Sequence, residues 1–174
     1  MTDQLAGVLF DMDGLLVDTE PLWLETETEV MDRLGASWTA ADQHALLGGS
    51  MDRAVEYLLG KATRPAPPET VARWMLEGVL ARARAGRVVP CPGARELVTE
   101  VAASGMPYAL VTSSQRPFAE AVLAAAGLPF PVTVCFEDVR ATKPAPDPYL
   151  LAARLLGAGP ERCVALEDSP NGVA

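Results

Sequence analysis

The 174-residue sequence predicts an α/β fold, a doubly wound parallel sheet interrupted early by an all-helical insertion. Three observations carry that prediction. Short apolar runs ending in polar residues recur along the chain, helical patterns alternate with them after residue 88, and no such run occurs between Thr19 and Val88. Strands joined through helices need crossover connections, and these pair strands in parallel.

LAGVLF (Leu5 to Phe10) is short, apolar and followed by Asp11, Asp13 and Gly14, the pattern of a buried strand delivering acids to a loop. From Pro21 to Leu34, Leu22, Trp23, Val30, Met31 and Leu34 alternate with glutamates, and Gly35 follows as a C-cap, so this segment is an amphipathic helix. Gly48, Gly49 and Ser50 interrupt the next helical stretch. A further helix is expected from Met51 to Leu59, stopped by Gly60. Pro65, Pro67 and Pro68 mark a loop, and Glu69 to Ala85 is another helix, ending at Gly86. Beyond Pro90 and Pro92 the alternation begins: helix Ala94 to Ala103, strand YALVTSS (Tyr108 to Ser114), helix Phe118 to Ala126, strand VTVCF (Val132 to Phe136), helix Pro148 to Leu156 and strand CVALEDS (Cys163 to Ser169).

Composition narrows the function. Fourteen basic against 23 acidic residues give a formal charge of -9, which repels nucleic-acid backbones and anionic lipid surfaces. A phosphate site on such a protein must build positive potential locally, from a metal ion, a lysine and oriented amides. Cys91, Cys135 and Cys163 are odd in number and show no metal or redox spacing, so they are expected to be reduced thiols. No apolar run approaches the roughly 18 residues of a membrane span. The expectation is a cytoplasmic monomer that binds neither nucleic acid nor membrane.

In parallel sheets ligands bind beyond the carboxyl ends of the strands. The polar residues fall there: Asp11 and Asp13 after the first strand, Thr112, Ser113 and Ser114 after the second, Lys143 on a later loop, Glu167 and Asp168 after the last. Two acids two residues apart can share labour, Asp11 as nucleophile towards phosphorus and Asp13 as general acid and base. Thr112 and the serines after it can hold phosphoryl oxygens, while Lys143 offsets the charge of the transition state. Glu167 and Asp168 are hard oxygen donors suited to magnesium, and with Asp11 they make a negative cluster that a divalent cation would relieve.

The segments VLFDMDGLLVDTEPLW (Val8 to Trp23), VTSS (Val111 to Ser114), KPAPDPYL (Lys143 to Leu150) and ALEDSPNGV (Ala165 to Val173) resemble, in order and spacing, the four motifs of the haloacid dehalogenase superfamily. Within it the chain looks like the branch of sugar-phosphate phosphatases and β-phosphoglucomutases. The resemblance implies a Rossmann-like core of residues 1–17 and 89–174 and a helical cap of residues 18–88. It implies Asp11 as nucleophile and magnesium ligand, Asp13 as acid and base with its backbone carbonyl on the metal, and Thr112 as phosphate binder. Lys143 becomes the charge-stabilising lysine, and Glu167 and Asp168 the metal-binding acids. Members of the family usually continue past the position of Ala174 through another strand and helix, so the core is expected to lack that pair, leaving an open sheet edge.

The expected activity is hydrolysis of a small phosphomonoester, a sugar phosphate, through an aspartyl-phosphate. An acid at Asp13 speaks against dehalogenation, which needs no proton donor. A phosphosugar mutase is the alternative. Trp23 and Met51 stand where the mutases carry a histidine and an arginine, which disfavours it, although Arg53 could substitute for the latter. Receiver-type signalling domains combine similar residues on a parallel sheet, but there the phosphoacceptor follows a middle strand of the chain. Trp23 could line the substrate pocket, although an aromatic on an amphipathic helix more often packs in the cap core; His44 is expected to lie at the surface, and Asp18 and Glu20 to serve a hinge or helix N-terminus. Hinges are placed near Leu16 to Asp18 and Val88 to Pro90.

Overall fold

A computed structural model describes residues 5–46 and 49–173; Gly48, expected to interrupt a helix, lies outside the described residues, as does Ala174. Strand β1 (Gly7–Phe10) is buried at every position. It has β4 (Tyr108–Val111) on one side and β6 (Cys163–Leu166) on the other, with Phe10 in register with Leu110 and Leu166. β5 (Thr133–Val134) pairs with β4, so the described sheet is parallel in the order β5-β4-β1-β6.

Side chains alternate across β1. Val8 and Phe10 face one apolar layer with Val98 of α5 (Ala94–Ala103) and Phe118 and Val122 of α6 (Arg116–Ala126). Leu9 faces the other layer, with Ala109, Val111 and Ala152 of α7 (Asp147–Leu155). Helices on both faces explain why this strand reads as an unbroken apolar run. β6 is the edge of the described sheet; Ala165 is exposed and its other residues are half-buried.

Between β2 (Val17–Asp18) and β3 (Val89–Pro90) the described chain is helical: α1 (Glu20–Leu34), α2 (Ala40–Leu46), α3 (Met51–Lys61) and α4 (Pro68–Arg84). β2 and β3 pair antiparallel, Val17 with Pro90 and Asp18 with Val89, where hinges were expected. The buried face of α1 repeats at helical spacing, Leu22, Thr26, Val30 and Leu34, and Gly35 closes the helix in the left-handed conformation at φ 75°. Val30, Met31 and Leu34 pack with Val55 and Leu58 of α3 and Val71 and Met75 of α4, an apolar cluster separate from the two that flank the sheet.

Four elements differ from expectation, and two of them, the strands expected over Tyr108 to Ser114 and Cys163 to Ser169, stop at Val111 and Leu166, where the chain turns into the loops that carry the polar residues. Gly60 does not stop α3, which runs on to Lys61; the Lys61 ammonium pairs with Asp42 of α2 and lies over the Trp38 ring, holding the last turn in place. The strand expected over Val132 to Phe136 is confined to Thr133–Val134. Asp138 Oδ2 accepts the Cys135 amide at 2.7 Å, and Phe136–Asp138 winds into a 3₁₀ turn.

Candidate active site

The loops after β1, β4 and β6 and the loop carrying Lys143 open into one crevice of about 270 Å³. Asp11, Asp13, Thr112, Ser113, Ser114, Lys143, Glu167 and Asp168 all line it, so the candidate catalytic, phosphate-binding and metal-binding residues are brought to the same space. The opposite wall comes from the helical segment and includes Glu20, Trp23, Glu27, Gln43 and Met51.

Lys143 organises the floor. Its Nζ donates to Asp11 Oδ1 at 2.5 Å and to Glu167 Oε1 at 2.6 Å, and its side chain is 5% exposed. Tyr149 lies beneath the ammonium, 5.1 Å from ring centroid to Nζ, and also donates to Glu167 Oε1 at 3.0 Å. Burial presses the lysine towards its neutral form, but the Asp11 carboxylate and the hydrogen bonds outweigh it and lift its pKa above the ordinary value. Burial pushes the Asp11 carboxyl up to about 7, against the pull of Lys143 and with the help of Asp13 and Glu167. Asp11, Glu167 and Asp168 each bring a carboxylate oxygen within 4.8 Å of the others, a grouping able to hold a metal ion. Gly14, at φ 84°, is needed beside it, since a Cβ there would run into the Asp168 carboxylate.

Asp13 is held differently. Its Oδ1 accepts from Thr19 Oγ1 at 2.5 Å, and its Oδ2 from Ser114 Oγ at 2.9 Å and Thr112 Oγ1 at 3.4 Å. Burial raises its pKa, and these hydroxyls oppose the rise without cancelling it. The Ser114 amide donates to Thr112 Oγ1 at 3.0 Å, so Thr112 and Ser114, the residues expected to meet a phosphate, also orient the acid. Thr19 was not foreseen. It occupies the N-cap of α1, yet makes no side-chain cap, because its hydroxyl is spent on Asp13.

Three expectations about the far wall change. Trp23 does more than pack the insertion: it meets Phe118 of α6 edge-on at 5.2 Å and lines the crevice. Glu20, assigned to a helix start, also lines the crevice, with its Oε2 and carbonyl held by Gln43 Nε2 at 3.1 and 3.0 Å. Arg53 does not substitute for an arginine at Met51, since its Nη2 donates to the Ala45 carbonyl at 2.9 Å and the residue lies off the crevice wall. His44 is exposed, as expected.

Glu27 is the second residue missed. It is 4% exposed, on the inner face of α1, with Oε2 accepting from Trp38 Nε1 at 3.0 Å. Burial pushes its carboxyl up to about 7; the Trp38 bond opposes this and Glu20 adds to it. The folded chain therefore holds a proton on Glu27 more tightly than the unfolded chain does, and folding stability falls as pH rises from the ordinary 4.5 to about 7. Glu27→Gln should gain stability over the wild type across that window, from nothing near pH 4.5 to on the order of 3 kcal/mol at pH 8. Denaturant melts at both pH values check it, and a difference independent of pH would refute it.

The model of the haloacid dehalogenase-like hydrolases matches residues 5–174. The chain belongs to that family. It is 35% identical over 178 residues to hexitol phosphatase A of Escherichia coli K12, covering 96% of this chain and 76% of that one. It is 33% identical over 177 residues to fructose-1-phosphate phosphatase YqaB of the same organism, covering 99% and 92%. A crystal structure of CbbY from Rhodobacter sphaeroides in complex with xylulose-(1,5)bisphosphate superposes with TM-score 0.87 at 31% identity, covering 98% of this chain and 80% of that one. The resemblance drawn from the four motifs is thus borne out, and so is the reading of the chain as an enzyme, a phosphoric monoester hydrolase. The receiver-type alternative is set aside with it. Among the described residues no helix is long and apolar enough to cross a membrane.

Proposed function

We propose that this hydrolase is a magnesium-dependent phosphatase that releases phosphate from a small sugar phosphate through an aspartyl-phosphate on Asp11. The observation that carries the reading is the division of the two acids: Asp11 is held by the Lys143 ammonium on the floor of the crevice, and Asp13 by three hydroxyls beside it. Asp11 attacks phosphorus, and the bond to the leaving oxygen breaks as Asp13 gives that oxygen its proton. Asp13, now a carboxylate, takes a proton from water, whose oxygen displaces Asp11 and releases inorganic phosphate. The raised pKa of Asp13 suits the first step, since the acid must be protonated when substrate binds. Lys143 opposes the charge that develops on the phosphoryl oxygens.

The donor set fits magnesium. Asp11, Asp13, Glu167 and Asp168 line the crevice with Lys143 as the one cation among the described lining residues, and every acid offers hard oxygen. Asp11, Glu167 and Asp168, with the Asp13 carbonyl suggested by the family resemblance, would hold the ion. Bound there, it would supply positive charge to the phosphoryl group. Residues 18–88 act as a cap on a core of residues 1–17 and 89–174, closing over the crevice about β2 and β3 and excluding water.

The hexitol and fructose-1-phosphate phosphatases among the relatives support a sugar or polyol monophosphate as substrate. The crevice, at about 270 Å³, is at the small end of ligand pockets and suits such a molecule. The protein should release phosphate from p-nitrophenyl phosphate with magnesium, lose on the order of a hundredfold in rate with EDTA, and recover when magnesium is returned in excess. Full turnover in EDTA would remove the metal from the mechanism. Efficient conversion of glucose 1-phosphate to the 6-phosphate would replace hydrolase with mutase.

A further inference from the structure

Glu27 sits where α1 should carry an apolar residue. It lies one helical turn from Trp23 and one from Met31, on the face that packs inward, and a buried carboxylate there costs stability that a packed leucine would not. Trp38 satisfies only Oε2. Among the described residues no donor reaches Oε1, and Glu27 lines the crevice. A half-satisfied buried acid aimed into a cavity is a recognition group awaiting a donor.

The surrounding charges say what kind of donor. Glu20 lines the same wall, Gln43 is bonded to it, and the one cation on the described lining, Lys143, is engaged with Asp11 and Glu167. A second phosphate would meet two carboxylates and no positive charge. A hydroxyl meets an acceptor with a vacant lone pair. We propose that Glu27 is a specificity-determining residue, whose Oε1 accepts a hydrogen bond from a hydroxyl at the uncharged end of a polyhydroxyl monophosphate and which disfavours bisphosphates. The inference rests on the phosphatase reading and deepens it.

The test compares the wild type, Glu27→Leu and Glu27→Gln at pH 8, above the value of about 7 to which burial pushes the Glu27 carboxyl, on sorbitol 6-phosphate, fructose 1-phosphate, fructose 1,6-bisphosphate and p-nitrophenyl phosphate. The aryl ester has no hydroxyl to read, so wild-type turnover of it probes the phosphatase reading alone and the two ideas fail separately. In Glu27→Leu, KM for the better sugar phosphate should rise about tenfold or more with kcat within about threefold. With p-nitrophenyl phosphate, kcat/KM should stay within about twofold. Glu27→Gln keeps the shape and an acceptor for Trp38 but turns an amide donor to the crevice, and should show the same selective rise. The bisphosphate should be at least about tenfold poorer than the monophosphate for the wild type, with the gap narrowing in Glu27→Leu. Equal losses on aryl and sugar substrates, marking a folding role, or an unchanged KM for both sugar phosphates would overturn the proposal.

Discussion

Asp11→Asn should lower phosphate release by on the order of a thousandfold or more while leaving the fold in place. The carboxamide has nearly the shape of the carboxylate, and its oxygen can still accept from Lys143 Nζ, which stands 2.5 Å from Asp11 Oδ1. What it lacks is nucleophilicity towards phosphorus. Since burial already pushes the Asp11 carboxyl up to about 7, removing its charge costs the folded state little, and the melting temperature should move by no more than a few degrees. Loss of rate with retained stability is the signature of a reacting group. A complementary measurement is mass spectrometry of acid-quenched wild-type protein after brief exposure to substrate, which should find one phosphoryl group on the peptide holding Asp11 and none in the asparagine variant. Turnover within tenfold of wild type, or a phosphoryl group elsewhere, would move the nucleophile to another side chain.

The floor of this site could be read in the sequence because its chemistry is tied to topology. Asp11, Thr112 and Glu167 each follow an apolar strand, and parallel strands deliver their ends to one side of a sheet whatever the details between them. The helical wall gave less away. Thr19 looks like an ordinary N-cap, and only the approach of the loop after β1 reveals that its hydroxyl goes to Asp13. Glu27 did carry a signal, an acid flanked by Trp23 and Met31 at four-residue spacing on the inner face of a helix; among so many glutamates along α1 it passed for part of the solvated face. The strand over Val132 to Phe136 was overextended for a similar reason. Apolar run length was legible, while the capture of the Cys135 amide by Asp138 is a tertiary event.

Lys143→Met should cost about a hundredfold to a thousandfold in kcat/KM and, unlike Asp11→Asn, should also destabilise the protein. One ammonium, 5% exposed, is shared between Asp11 and Glu167, and its removal leaves two buried carboxylates without a counter-charge. Breaking such a pair typically costs about 3–5 kcal/mol, which for a chain of this size lowers the melting temperature by about 10 °C. Protonation of Asp11 would soften the loss, so it should be larger at pH 8 than at pH 6, the acid being raised to about 7 even with the lysine beside it. Magnesium separates the two parts of the effect. A cation held by Asp11, Glu167 and Asp168 would neutralise the same oxygens, and adding it should recover more melting temperature in the methionine variant than in the wild type. It should not recover kcat, because the charge that Lys143 presents to the phosphoryl oxygens is still missing. Recovery of both would mean that the lysine serves only as a counter-charge to the two acids, and charge stabilisation in the transition state would then have to come from elsewhere in the crevice.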